Sequence, residues 1–226
     1  MPETRAVCEA LTKTYAVAGG APVTALQELA ADFVAGELTV VAGPSGSGKS
    51  TLLRLLACLD RPDGGAVRID GRDTTRMSSA ARRRLRRRRI GYLFQQPSAN
   101  LIDYLTAREH LLLAARLRGT GAADADRLLD AFGLDGRADH RPAQLSGGEQ
   151  QRLGVAFAGI GDPALLVCDE PTAQLDHVAG ARVIDALRRL ATAGGCVVVS
   201  SHDPAVVERA DRVVRVEHGR VVEAAP

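Results

Sequence analysis

The chain has 226 residues, of which 46% are hydrophobic and 25% charged, and its formal net charge is +2. This length is sufficient for one large domain with a buried core, and so small a net charge does not identify a polyanionic partner. No apolar run approaches the roughly 18 residues that a membrane-spanning helix requires, and residues 1–5 lack the apolar stretch of a secretory signal. The four cysteines, Cys8, Cys58, Cys168 and Cys196, show no metal-ligand or redox spacing, so we expect reduced thiols in a cytoplasmic protein.

Residues 1–94 have the pattern of short strands with one early helix. Apolar or alternating segments bounded by Gly and Pro predict strands at 6–11, 24–33, 38–42, 66–70 and 90–94. A helix is predicted at 50–59, directly after the third of these strands and a glycine-rich loop.

The rest of the chain is first helical and then alternating. Helical periodicity predicts helices at 105–117, 124–132 and 146–160. Strands are then predicted at 165–168, 196–200, 213–216 and 220–222, with helices at 178–193 and after Asp203-Pro204. Such alternation indicates a largely parallel sheet covered on both faces, in which ligands bind beyond the carboxyl ends of the strands.

The glycine-rich loop fits the phosphate-loop pattern G-x-x-x-x-G-K-[ST] without a mismatch. Its residues are Gly43, Pro44, Ser45, Gly46, Ser47, Gly48, Lys49, Ser50 and Thr51. Backbone N–H groups of such a loop surround a triphosphate, Lys49 would lie between the β- and γ-phosphates, and the Ser50 hydroxyl would ligate Mg²⁺. The alternative is a Gly/Ser-rich turn before an ordinary helix, which the preceding strand and following helix disfavour.

Two carboxylates follow the apolar strand at 165–168. Adjacent strand residues point to opposite sides, so Asp169 and Glu170 are expected to have separate roles. Asp169 is the candidate for Mg²⁺, and Glu170 is the candidate general base for an attacking water. Solvated surface acids are the alternative, which the phosphate loop makes less favourable.

The predicted helix at 146–160 begins with an unusual sequence. Ser146 and Glu149 form a capping box, which a purely structural helix start would also have. However, Gly147 and Gly148 occupy the first turn, where each costs up to ~1 kcal/mol relative to Ala. Their presence indicates that a large anion approaches the bare N–H groups at this helix end.

Taken together, these motifs resemble the ATP-binding subunit of ABC transporters over nearly the whole chain. Residues 43–51 match the Walker A loop, 165–170 match Walker B and 145–149 match the LSGGE-type signature. The resemblance implies an α/β phosphate-loop NTPase (RecA-like) fold with an antiparallel β subdomain on the N-terminal side. It also implies a single domain, 1–226, in which a helical subdomain at 95–160 is inserted between the core segments 1–94 and 161–226.

Further site residues follow from the resemblance alone. Tyr15 matches the aromatic residue that stacks on adenine, with ordinary sheet packing as the alternative. Gln95 matches the Q-loop glutamine that touches Mg²⁺ and the attacking water, although the neighbouring Gln96 leaves a one-residue ambiguity. His202 matches the switch histidine that contacts the γ-phosphate, and Ala173-Gln174-Leu175-Asp176 matches the D-loop along the dimer seam.

The resemblance also implies partners. In this family the signature of one subunit completes the site that holds ATP on the phosphate loop of the other. A homodimer with two sandwiched Mg·ATP is therefore expected, acting on a separate transmembrane permease at the inner face of the cell membrane. Residues 59–65 and the arginines before Ile90 resemble the lipoprotein-release and macrolide-export branch.

Other classes of function are compatible with parts of this sequence. A regulatory ATPase that signals through a membrane partner, as in cell division, stays open. Soluble ABC ATPases of DNA repair or translation carry coiled coils, zinc modules or duplicated cassettes, and GTPases carry an Asn-Lys-x-Asp motif; the sequence has none of these. The arginine run at 82–89 has no interleaved aromatics, so we expect a solvated helix face and no nucleic-acid partner. Phe157 replaces an arginine that is frequent in the family.

Overall fold

The computed structural model describes residues 3–173 and 175–225, which form two sheets and seven α-helices. The strands are β1 (Thr4–Tyr15), β2 (Val23–Val34), β3 (Leu38–Ala42), β4 (Gly64–Ile69), β5 (Arg72–Asp73), β6 (Ile90–Leu93), β7 (Leu165–Asp169), β8 (Cys196–Ser201), β9 (Arg212–Glu217) and β10 (Arg220–Ala225). The helices are α1 (Lys49–Leu56), α2 (Ser79–Arg89), α3 (Ala107–Arg118), α4 (Ala122–Ala131), α5 (Gly147–Gly159), α6 (His177–Thr192) and α7 (Pro204–Val207).

The larger sheet has the strand order β10-β9-β3-β8-β7-β6. Every neighbouring pair from β9 to β6 is parallel, and only β10 joins antiparallel to β9. Every residue of β3, β7 and β8 is buried, which explains their nearly uninterrupted apolar sequences. The predicted largely parallel sheet is confirmed, and its carboxyl edge carries the residues after β3, β7 and β8.

The smaller sheet is antiparallel, with the order β2-β1-β4-β5. Its apolar face, one face of the larger sheet and α1 share a core, in which Leu52 and Leu56 of α1 and Phe33 of β2 are fully buried. β1 and β2 are longer than predicted because bulges interrupt their alternation, with register shifts after Cys8 and a positive φ at Ala10. β5 was not predicted, since two residues are too few to show a period.

The opposite face of the larger sheet packs on α3, α4, α5, α6 and α7 in a second core. The predicted helices are confirmed, with ends that differ by one to three residues. For example, α3 begins at Ala107 because Thr106 caps it in a capping box with Glu109. α1 is shorter than predicted, since Ala57 ends it and Cys58 turns to a φ of 55°. No described helix has the combination of length and apolar composition that crossing a bilayer requires.

The arginine run forms α2, and the expectation of a fully solvated face was wrong in part. Arg82 is only 7% exposed and donates to the carbonyls of Cys58 and Asp60, both at 2.7 Å. Arg86 donates to the same Cys58 carbonyl. These carbonyls follow the end of α1, where no helical N–H is available to bond them. Five other arginines remain exposed: Arg83, Arg84, Arg87, Arg88 and Arg89.

Candidate nucleotide-binding site

The phosphate loop lies between β3 and α1 in a conformation that only glycine adopts easily. Gly46 and Gly48 have φ values of 77° and 106°. A Cβ on Gly48 would also lie 2.4 Å from the Ala25 carbonyl oxygen, so no other residue fits there. Gly48 is the N-cap of α1 and provides no side-chain cap, which leaves the first N–H groups of the helix available to an anion.

Lys49 is buried at the start of α1 and is held by the loop itself. Its Nζ donates to the carbonyl oxygens of Gly43 at 2.7 Å and Pro44 at 2.9 Å. The ammonium group therefore lies inside the curve of the loop, without a carboxylate partner among the described residues. A phosphate group entering the loop would meet a positive charge that no fixed anion neutralises.

Asp169 and Ser50 meet at the carboxyl edge of the sheet. Asp169 Oδ1 accepts hydrogen bonds from Ser50 Oγ at 3.1 Å and from Ser200 Oγ at 2.6 Å. The described residues contain no cluster of three metal-ligating side chains of the His, Cys, Asp or Glu type. A hydroxyl and one carboxylate nevertheless fit Mg²⁺, which keeps most of its water ligands and takes its remaining oxygens from phosphates.

Glu170 directly follows β7 and is paired with His202. Its Oε1 lies 2.9 Å from His202 Nδ1, and the His202 side chain is 70% exposed against 12% for Glu170. The backbone of Glu170 turns to a φ of 45°, and its N–H donates to Ser200 Oγ at 2.9 Å. Asp169 therefore bonds Ser50 and Ser200, whereas the Glu170 carboxylate bonds His202, so the two acids have different partners.

A cleft of about 450 Å³ brings ten of the predicted residues together, seven of them from the phosphate loop. Lys49 and Ser50 of α1, Gln95, Glu170 and His202 all line it. Gln96 does not, so the geometry favours Gln95 in the one-residue ambiguity left by the sequence.

Asn100 fixes the position of Gln95, and sequence reasoning missed it. Its Oδ1 accepts from the Phe94 N–H at 2.7 Å, and its Nδ2 donates to the carbonyls of Phe94 and Gln96 at 2.9 and 3.0 Å. Three hydrogen bonds from one side chain close the turn that follows β6. The signal was an Asn five residues after the glutamine, which is too common to notice without the fold.

Tyr15 does not line the cleft. Its hydroxyl donates to Asp60 Oδ2 at 3.1 Å, and Lys13 Nζ lies over the ring, 5.4 Å from the centroid. Arg54 also binds Asp60, and this bond is the main reason that the pKa of Asp60 is lowered. The ring is partly exposed, and its stacking on adenine stays a prediction.

The signature residues form the start of α5 and also lie outside the cleft. The predicted capping box is present: the Glu149 N–H donates to Ser146 Oγ at 3.3 Å and the Ser146 N–H donates to Glu149 Oε2 at 2.8 Å. The Ser146 N–H and then Arg137 lower the pKa of Glu149 to about 2. No atom lies within 4 Å of the position of a Cβ on Gly147, so this helix end is open.

The D-loop leads into α6 beside the signature helix. Asp176 caps α6, since its Oδ1 accepts hydrogen bonds from the N–H groups of Val178 at 2.9 Å and Ala179 at 2.8 Å. Gln174 of the D-loop lies outside the described residues. The buried Gln151 of α5 donates to the Pro171 carbonyl at 2.9 Å. Gln151, which the sequence did not single out, thereby joins the signature helix to the segment that follows Glu170.

This loop, acid pair and cleft are those of a phosphate-loop nucleotide-binding protein. A sequence profile of the ABC transporter family matches residues 26–173, which is more than half of the chain. The chain therefore belongs to the ABC transporter family and is one of its ATPase cassettes.

Individual relatives agree with this assignment. The chain is 43% identical over 201 residues to the macrolide export ATP-binding/permease protein MacB 1/2 of Paracoccus denitrificans, covering 87% of this chain but 30% of that protein. It is 40% identical over 223 residues to the lipoprotein-releasing system ATP-binding protein LolD of Chromohalobacter salexigens, covering 96% and 93% of the two chains. Among solved structures, a dimeric post-hydrolysis state of the ATP-binding cassette MJ0796 bound to ADP and Pi has a TM-score of 0.88, 34% identity and 97% coverage of both chains.

Proposed function

We propose that two copies of this chain close over two Mg·ATP, hydrolyse them and thereby drive a separate membrane permease. The observation that carries this proposal is that the predicted site residues fall into two separate groups. The cleft collects the phosphate loop, Gln95, Glu170 and His202, whereas the signature start of α5 lies outside it and presents the open Gly147. A helix end that is open and prepared for an anion, but remote from the cleft of its own chain, is accounted for by a nucleotide on a second copy.

Each polar residue of the cleft has a role in hydrolysis. Lys49 and the N–H groups of α1 stabilise negative charge on the phosphates, and positioning with such charge stabilisation supplies most of the rate in phosphoryl transfer. Ser50, Asp169 and Gln95 are the residues that would hold Mg²⁺, which would supply positive charge to neutralise the phosphates.

Glu170 is the proposed general base. Its carboxylate is largely buried, and its contact with His202 Nδ1 keeps it oriented toward the cleft. Glu170 accepts the proton of the attacking water, and His202, on the exposed side of the pair, approaches the γ-phosphate.

The permease partner and the location follow from the relatives. The LolD relative, of which this chain covers 93%, is named an ATP-binding protein, and the MacB relative combines ATP-binding and permease in its name. We infer that the chain acts at the inner face of the cell membrane, bound to a permease of the export or force-transmitting type. The similarity to both relatives supports either macrolide export or lipoprotein release as the process that is driven.

Replacement of Glu170 by Gln tests the proposal. The variant should bind ATP but fail to hydrolyse it, so a dimer locked by ATP should accumulate in sedimentation experiments. Lys49→Ala should stay monomeric in the same experiment because it loses phosphate binding. Glu223→Gln, which removes an exposed acid of β10 that does not line the cleft, is the control and should behave as the native protein. Native turnover in Glu170→Gln would show that the base is a different residue.

A further inference from the structure

Three arginines converge on a pocket that is separate from the nucleotide cleft. Arg152 comes from α5, and Arg182 and Arg189 come from α6. The end of α4, including Asp130, also lines this arginine pocket, which has a volume of about 310 Å³. It shares no residue with the cleft that holds Lys49 and Glu170.

The positive charge of the arginine pocket is not balanced within the described part of the chain. Neither Arg152 nor Arg182 nor Arg189 forms one of the ion pairs found there, whereas Arg127 of α4 and Arg188 of α6 do. Among residues 3–173 and 175–225, the only hydrogen bond of the three guanidinium groups is from Arg152 Nε to the Phe132 carbonyl at 3.0 Å. That bond orients Arg152 and leaves its two terminal nitrogens for another acceptor.

The proximity of these groups is unfavourable without an anion. Burial, and then the charge of Arg182, lower the pKa of Arg152, while Glu149 opposes this effect. Arg152 is half-buried, whereas Arg182 and Arg189 are exposed. The like charges of Arg152 and Arg182 repel each other, and an anion bound between them would replace that repulsion with attraction. Asp130 is the one carboxylate in the lining, and its negative charge would oppose that anion.

We propose that the arginine pocket binds a phosphate group, supplied by free inorganic phosphate or by a small phosphate monoester. Guanidinium groups bind phosphate oxygens through paired hydrogen bonds, and they suit this ligand better than a spherical anion. The volume accommodates a phosphate with several waters. A phosphate there would connect α5, which carries the signature, to α6, which follows the D-loop.

The test is calorimetric titration of the chain with phosphate at constant ionic strength. It is made in the Lys49→Ala background, so that the phosphate loop does not contribute. Arg182→Gln/Arg189→Gln should weaken phosphate binding about tenfold or more, as expected for lost charge-assisted hydrogen bonds. The matched control is Arg84→Gln/Arg88→Gln, which removes the same charge from exposed positions on α2. Equal affinities of the two double variants, or no phosphate binding in the background protein, would overturn the proposal.

Asp130→Asn gives a second test that a misfolded variant cannot imitate. Removing this negative charge from the lining should tighten phosphate binding, and an unchanged or weaker affinity would contradict the site. Repeating the titration with adenosine monophosphate distinguishes the two sources. If its binding also depends on Arg182 and Arg189, the pocket accommodates a phosphate monoester. If only the binding of inorganic phosphate depends on these residues, free phosphate is the ligand.

Discussion

Ser200 links the two acidic residues of the site, and its contribution is visible only in the fold. Its hydroxyl donates to Asp169 Oδ1 at 2.6 Å and accepts the Glu170 N–H at 2.9 Å. It is completely buried on β8, the neighbour of β7, so this one side chain determines both the orientation of Asp169 and the turn at Glu170.

Replacing Ser200 by Ala should therefore reduce hydrolysis more than stability. Loss of the buried hydrogen bonds should lower the free energy of unfolding by about 1–2 kcal/mol. The same change should lower kcat severalfold, because Asp169 and Glu170 lose a shared support. Ser201→Ala is the matched control, since the Ser201 hydroxyl accepts from the Asp203 N–H and touches neither acid. Equal kcat values for the two variants would contradict this role.

The sequence predicted most of the residues in the cleft and missed those that support them. Lys49 and Glu170 belong to motifs whose spacing reports their chemistry directly, and His202 was assigned from the resemblance to the family. Ser200 and Asn100 act through hydrogen bonds to residues that the fold brings near, and their residue types are ordinary at a strand end or in a turn. No local pattern distinguishes such residues from the many other serines and asparagines.

At the scale of elements, the arginine run of α2 contains both buried and exposed side chains. Arg82 is buried against the end of α1, whereas Arg84 on the same helix is exposed. A run of seven arginines in eight residues has no apolar period, so the sequence could indicate a helix but not which arginines face inward. The direction of each side chain depends on the carbonyls of Cys58 and Asp60, which only the fold places there.

Arg82→Ala and Arg84→Ala should therefore differ strongly. The first leaves the Asp60 carbonyl without this donor and should lower the free energy of unfolding by about 1–3 kcal/mol. The second removes an exposed side chain and should leave stability unchanged within error. Urea denaturation of both variants measures the difference. Similar losses in the free energy of unfolding would show that α2 stabilises the fold only through its net charge.

α3 contains a histidine that must be neutral in the fold. His110 is completely buried, with Nδ1 donating to the Thr106 carbonyl at 2.7 Å and Nε2 accepting the Ile102 N–H at 2.8 Å. Phe157 packs edge-on against it, with 6.2 Å between ring centroids, which shows what the residue that departs from the family contacts. Protonation of Nε2 would place a donor against the Ile102 N–H.

Acid should consequently weaken the fold through His110. Burial lowers the pKa of His110 below its ordinary 6.5, so the unfolded chain binds a proton at higher pH than the folded one. The stabilisation is complete above pH 6.5 and is lost as the pH falls below it, by up to about 1.4 kcal/mol per pH unit. His110→Gln should be less stable near neutrality but should show a shallower loss on acidification, measured by urea unfolding. His177→Gln, at an exposed site, should retain the native slope, and an equally steep slope in both variants would refute the role.

At the scale of the whole molecule, sheet order and motif positions explain why one chain holds only part of a catalytic site. The carboxyl ends of β3, β7 and β8 meet at one edge and bring their residues into the cleft. The signature, on α5, belongs to the layer of helices on one face of the sheet. The sequence predicted this alternation well because buried parallel strands and amphipathic helices have strong periods. It could not predict the bulges of β1, the short β5 or the arginine pocket, which depend on contacts between distant segments.

The most direct test of the paired site is the dependence of ATPase turnover on protein concentration. If each hydrolytic site needs residues from two copies, turnover per chain should rise with concentration in the dilute range and level off once the ATP-bound dimer predominates. Sedimentation under the same conditions should show the dimer appearing over the same range. A turnover per chain that is constant over this range, from a protein that stays monomeric with ATP, would contradict the account.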